Sequence, residues 1–375
     1  MSAKPLLLSL LMSSALGHPS HAAPEASPAD RCRFIGLRQF DDFTAENAGT
    51  NAALLSPVIK APMAWNELVV SWNVAAVKGG ALKVEARGIY PDHETKFFTL
   101  GVWSPAGERH SVGGQKDADG NVKTDTWIAT RPGADAQLRL TLSGARTNLK
   151  FLGLSFLNSR VEAAPLAAHR AAWGKIIATT ERSQHGYAQE KGWCSPTSLS
   201  MVLTRWSEVL RRPEMNLDVP EVAKAVFDST FDGTGNWPFN TAFAGSFEGM
   251  RAYVTRLSDI AELEEWIDAG IPVIISAPWH LLSPGRRNTG EGHVVVCIGF
   301  TEDGDVVIND PGTNLQKGQH VRHVYRREDV IKAWQASKNT VYLVYPEGAK
   351  IPDDRFGHWD KPRGEGERSG PELNH

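Results

Sequence analysis

The 375-residue sequence predicts two domains, an all-β sandwich followed by an α+β domain. Short runs between residues 33 and 158 alternate apolar with polar side chains, as half-buried antiparallel strands do. From residue 175 onward, helix-spaced apolar residues interleave with strand-like runs. With 41% hydrophobic residues, a chain of this length can fill two ordinary cores.

In chain order, Lys4, the apolar run Pro5 to Leu16 and the small-x-small Ser20-His21-Ala22 read as an export signal over residues 1–22, with cleavage after Ala22 or Ala23. That run is too short to span a bilayer, and no longer one follows, so no membrane span is expected. Asp30-Arg31 ahead of Cys32 is unlike the small-residue context of a lipoprotein cleavage site. The first domain is expected over 33–158, with strands near 67–72, 81–87, 95–102, 126–129, 137–142 and 149–156. Gly79-Gly80, Asp119-Gly120 and Pro132-Gly133 supply turns. This spacing suits a β-sandwich, with a jelly roll as one form of it. Trp65, Trp72, Trp103 and Trp127 read as core residues, with a sugar-stacking platform as the competing reading. The Ala-rich stretch 159–174 is a linker, and the Pro-, Gly- and charge-rich 347–375 is a flexible tail.

The second domain, 175–346, is organised around Gly192-Trp193-Cys194-Ser195-Pro196. Ser195 suits an N-cap and Pro196 the first helical position, while Leu199, Val202, Leu203 and Trp206 form one apolar face. A capping box at Asp218 and Glu221 opens a second helix, and further helices are expected near 260–269, ending at Gly270, and 328–336. The segment 228–247 reads as an irregular loop overhanging a site. Strands are expected at 272–277, 293–300, 306–309 and 341–345.

Cys194 therefore stands at a helix N-terminus, where unpaired N–H groups and the macrodipole favour thiolate, the attacking species in acyl transfer. That chemistry also needs a base, a group to orient it and donors for an oxyanion. His293 opens one apolar strand and Asp310 closes the next, so a hairpin through Thr301 to Asp305 makes them neighbours. Gln184 or Gln189 can join the backbone N–H of Cys194 as oxyanion donor. Taken singly, His293 is a structural histidine, Asp310 a turn residue, and either glutamine a surface one. Three cysteines cannot all pair with one another, which leaves at least one thiol free or paired between chains, and Cys297 reads as a buried strand residue.

Gln184 in Arg-Ser-Gln, the run Gly192 to Leu203, Gly292-His293-Val294-Val295-Val296 and Val307-Ile308-Asn309-Asp310-Pro311 resemble secreted, stand-alone relatives of the bacteriocin double-glycine leader peptidases, a branch of the papain-like cysteine peptidases. The resemblance covers about residues 175–346. It implies a papain-like fold, Cys194 as nucleophile, His293 as general base and acid, Asp310 orienting the imidazole, and Gln184 donating to the oxyanion. The loop between Gln184 and Cys194 is longer than the family's usual spacing, which keeps Gln189 as a rival. No transporter segment accompanies the domain, and the β-rich first domain lies outside the resemblance.

A formal net charge of −3 supplies no basic field for nucleic acid. His280, His320 and His323 are too isolated for a metal site, there is no phosphate-binding glycine loop, and no cofactor is expected. The expected partner is a peptide or protein substrate outside the cytoplasm, periplasmic or secreted, with a cell-envelope polymer as a candidate contact of the first domain. Besides an exported cysteine peptidase, the residues suit a transglutaminase-like transferase, a peptidoglycan amide hydrolase, or a non-catalytic glycan- or protein-binding chain. Arg286 and Arg287, in the insert 279–291, are expected to border the cleft.

Overall fold

The computed structural model describes residues 27–48, 51–75, 80–105, 107, 109–143, 149–188, 192–283, 288, 290 and 292–360. The export-signal reading, Gln189, Arg286 and Arg287 lie outside the described residues, as does the tail from 361. A single turn, α1 (Pro28–Arg31), leads into ten strands: β1 (Cys32–Leu37), β2 (Thr44–Ala48), β3 (Asn51–Leu55), β4 (Glu67–Val74), β5 (Ala81–Ile89), β6 (Phe98–Trp103), β7 (Gly120–Lys123), β8 (Thr126–Ala129), β9 (Asp135–Ser143) and β10 (Leu149–Leu157). They form two antiparallel sheets, ordered β1-β10-β4-β8-β7 and β2-β3-β9-β5-β6. Alternate side chains (Leu68, Val70 and Trp72 on β4; Leu82, Val84 and Ala86 on β5) meet in one core between the sheets. Trp65, Trp72, Trp103 and Trp127 are all buried there, so none of them belongs to an exposed stacking platform.

The second domain contributes α2 (Cys194–Leu210), α3 (Val219–Val226), α4 (Trp237–Ala244), β11 (Met250–Arg256), α5 (Ile260–Asp268), β12 (Val273–Ser276), α6 (Trp279–Leu282), β13 (Val294–Phe300), β14 (Val306–Asn309), β15 (Arg322–Tyr325), α7 (Arg327–Ala336) and β16 (Thr340–Pro346). Its six strands form one antiparallel sheet in the order β11-β16-β12-β13-β14-β15. Helix α2 buries the face drawn from the sequence, Leu199, Val202, Leu203 and Trp206. Trp206 Nε1 also donates to Val344 O at 2.9 Å, tying the helix to β16. Among the described residues no helix is long and apolar enough to cross a membrane.

The two domains share walls. Odd positions of β4 face β11: Asn73 donates from Nδ2 to Ala252 O at 2.7 Å and accepts from Ala252 N at 3.1 Å, standing in for a paired strand. Ser71 Oγ accepts from Val254 N at 2.9 Å. Phe34 stacks on Tyr253 and Phe151 packs against it at a tilt, with ring centroids 4.5 and 5.6 Å away.

Several expectations need correction. The segment 228–247 is not wholly a loop: Asn236 caps α4, which sends Phe239 and Ala242 into the first domain's core. Residues 347–360 are not a loose tail. His358, Trp359 and Asp360 are buried, the Phe34 N–H donates to Gly357 O at 2.6 Å, and Arg38 pairs with Asp360 at 2.6 Å. The linker is anchored at its far end, where Glu264 accepts from His169 N at 2.7 Å and Trp173 Nε1 at 2.6 Å. Strands β11 and β15 were not anticipated; β11 hides its two arginines in the interior, and β15 is a four-residue edge.

Candidate active site

Cys194 is the first residue of α2, with Trp193 rather than Ser195 as N-cap. Ser195 is wholly buried and its Oγ sits 3.0 Å from the Tyr342 hydroxyl, so the serine holds the helix start to β16 instead of capping it. One turn further on, Ser198 Oγ donates to Val294 O at 3.0 Å, which pins the same helix face to the residue after His293. From the other side, Ala277 N donates to His293 O at 2.8 Å. The helix and the strand entry are thus held together by bonds flanking both Cys194 and His293.

His293 Nε2 donates to Asp310 Oδ1 at 2.8 Å, and the Cys194 sulfur stands near enough to the imidazole to favour its charged form. With Nε2 on the carboxylate, Nδ1 is the ring nitrogen left for sulfur. The hairpin register, Val296 opposite Asn309, puts the mouth of β13 beside the end of β14. Trp279 covers the imidazole with its ring 5.6 Å away.

Asp310 is fully buried and accepts two further bonds, from Gly312 N at 2.8 Å and the Tyr325 hydroxyl at 2.7 Å. Burial alone would raise its pKa; the neighbouring imidazolium and these donors override that and hold it at about 2. Burial likewise works against a charged His293, but Asp310 and the Cys194 sulfur reverse the effect and push it to about 10. A Cβ at Gly312 would lie 3.1 Å from His293 Cε1 and 3.2 Å from Asp310 Oδ1, so glycine lets the turn wrap this pair.

Gln184 lies beside the carboxylate turn, its N–H donating to Pro311 O at 2.9 Å. Its side-chain Oε1 is buried without a hydrogen-bond partner among the described residues. Cys297 is buried and free, with burial pushing its thiol up to about 12, and Cys32 is likewise buried and free. Among the described residues no group of three His, Cys, Asp or Glu is placed to hold a metal ion.

Tyr325 had no signal in the sequence, because its contact with Asp310 depends on how an unanticipated edge strand folds back. Phenylalanine there is expected to remove one donor to the carboxylate, raising the Asp310 pKa and weakening its hold on the imidazolium. His293 should then lose its proton at a pH lower by about one unit or less, read from its ring resonances by NMR. A wild-type titration in the Tyr325→Phe variant would rule the contact out as a positioning one.

A thiol opening a helix against an imidazole held by a buried carboxylate marks the cysteine-peptidase class. Residues 181–342 match the family model described as the Peptidase_C39 like family, and residues 33–153 match that of the Peptidase C39 N-terminal domain. The chain thus carries a C39-like cysteine peptidase domain behind a domain of the C39 N-terminal type. No curated protein sequence matches it. Among solved structures, a candidate C39-like peptidase from Bacillus anthracis is 18% identical, with 46% of this chain and 98% of that one covered, at a TM-score of 0.34. A structure of infectious bursal disease virus strain Gx is 15% identical over 38% of this chain and 37% of that one, at a TM-score of 0.18. The CBM22-1–GH10 modules of Clostridium thermocellum endo-1,4-β-D-xylanase 10B are 10% identical over 40% and 30%, at 0.13. Likenesses at these scores support no assignment of fold or function.

Proposed function

We propose that this cysteine peptidase is exported and hydrolyses peptide or amide bonds through Cys194, His293 and Asp310. The observation that carries the reading is the half-buried Cys194 thiol beside a buried imidazole and carboxylate, with 2.8 Å between His293 Nε2 and Asp310 Oδ1. Cys194 Sγ attacks the carbonyl carbon; the imidazolium gives its proton to the leaving amine as the C–N bond breaks, leaving a thioester. His293 then takes a proton from water, whose oxygen attacks the thioester and releases the acid and the thiolate. The Cys194 N–H and the Gln184 amide are the oxyanion donors in this scheme, which is supported by a Gln184 Oε1 that no hydrogen bond among the described residues ties down. We read the second domain as papain-like and the facing sheets of the first as a β-sandwich. Export rests on the signal-like stretch 1–22.

Iodoacetamide at neutral pH, followed by mapping of the modified peptide, tests the nucleophile directly. Alkylation at Cys194, faster than a model thiol and sparing Cys32 and Cys297, is the expected result. Labelling no faster than the model thiol would leave the chain without a reactive nucleophile.

A further inference from the structure

We propose that the first domain is a working part of the nucleophile's support: through Asp228 it fixes residues 228–236, which in turn hold the turn that delivers Cys194. The proposal rests on the catalytic reading above and assigns a role to a domain otherwise outside the chemistry.

Asp228 lies between the domains and is wholly buried. Its Oδ1 accepts from Ser111 N of the first domain at 2.9 Å and from Thr230 N and Phe231 N at 3.1 Å each, while Oδ2 accepts from Asn236 Nδ2 at 2.8 Å. The first domain grips the same segment a second time, since Ser229 N donates to Arg109 O at 3.0 Å. Arg109 itself bridges, donating to Ser104 O at 2.9 Å and to Lys224 O, at the end of α3, at 2.7 Å. Further along, Asp125 of the first domain accepts from Trp237 N at 2.8 Å and fixes where α4 begins.

The segment's far side reaches the site. Thr234 is buried, and its Oγ1 donates to Gly192 O at 2.9 Å, two residues before the cysteine. Gly192 has φ +75°, a left-handed conformation that glycine adopts without strain. From there the chain enters α2 within two residues, with the Trp193 ring packed at a tilt against Tyr187, centroids 5.8 Å apart. Orientation of this turn sets where the Cys194 N–H and thiol point, and Thr234 holds one of its carbonyls.

A buried carboxylate is a poor choice for adhesion alone, because an apolar contact of similar volume holds two surfaces at least as well. Asp228 instead selects one loop geometry, using three backbone N–H groups and one amide. Its effect should therefore fall on the presentation of the thiol rather than on substrate affinity.

Alkylation of Cys194 by iodoacetamide at pH 7, located by peptide mapping on the full chain, reads this support without a natural substrate. Thr234→Val, which removes only the hydroxyl, is expected to slow alkylation by about fivefold or more. Thr234→Ser, which restores the hydroxyl, should return to within about twofold of wild type. Asp228→Asn should slow it by about tenfold or more; if that variant fails to fold, the Thr234 pair carries the test. Equal rates for Thr234→Val, Thr234→Ser and wild type overturn the proposal while leaving the catalytic reading intact. A wild-type chain that alkylates no faster than a model thiol removes the catalytic reading, and this proposal with it.

Discussion

Alanine at Cys194 or at His293 is expected to lower turnover by about 10⁴-fold or more, and the double variant to be scarcely worse than either single one. The reason is that thiol and imidazole act as one unit: without sulfur the ring has no bond to form, and without the ring the leaving amine has no proton donor. Asp310→Asn should be milder by about tenfold to a hundredfold, since the carboxylate acts only through the imidazole it orients. An amide at 310 can still accept from His293 Nε2 at the present 2.8 Å, but it no longer favours the imidazolium. Turnover of a fluorescein-labelled casein, or of peptides selected on the wild-type chain, measures the series. Losses that multiply across the Cys194 and His293 variants would show two independent contributions and dissolve the unit. A Cys194→Ala variant with full activity would move the chemistry elsewhere.

What the sequence disclosed and what it withheld follow from the range of the interactions. The apolar face of α2, the capping box at Asp218 and the alternating strands are set by residues within a turn or two of one another, and all are present in the fold. The proximity of His293 and Asp310 was legible because a tight hairpin converts local sequence into contact. Ser195 misled because capping competes with tertiary bonding: a serine three residues after a glycine turn is a good local cap, yet Tyr342 from a distant strand claims its hydroxyl. Thr234, Tyr325 and Trp279 act on the site only through long-range register, and nothing in their immediate surroundings announces it. The Pro-, Gly- and charge-rich stretch 347–375 reads as a flexible tail, but within it His358 and Asp360 find partners on β11, on α5 and at Arg38 just past β1 that no local pattern encodes.

The helix mistaken for loop has the largest consequence for stability. Phe239→Ala is expected to cost about 3–5 kcal/mol, because the ring is fully buried in a core built mostly by another domain and leaves a cavity that two rigid sheets cannot close. Its centroid lies 6.1 Å from that of Trp72 and 5.7 Å from that of Trp103. Glycine at 101 is what admits it: a Cβ there would stand 2.9 Å from Phe239 Cε1 and 3.1 Å from Trp72. Gly101→Ala should therefore destabilise the wild-type chain by overpacking, and should cost less in the Phe239→Ala background, where the ring that blocks it is gone. A coupling of about 0.5–3 kcal/mol between the two is the expected size for residues in contact. Because Asn73, Ser71 and Phe239 knit the domains along one face of β4, denaturant should unfold the wild-type chain in a single transition. Far-UV dichroism and tryptophan fluorescence should therefore report the same midpoint. Two separated transitions, with Phe239→Ala shifting only the one from the second domain, would mean that α4 merely rests against the first domain and contributes nothing to its core.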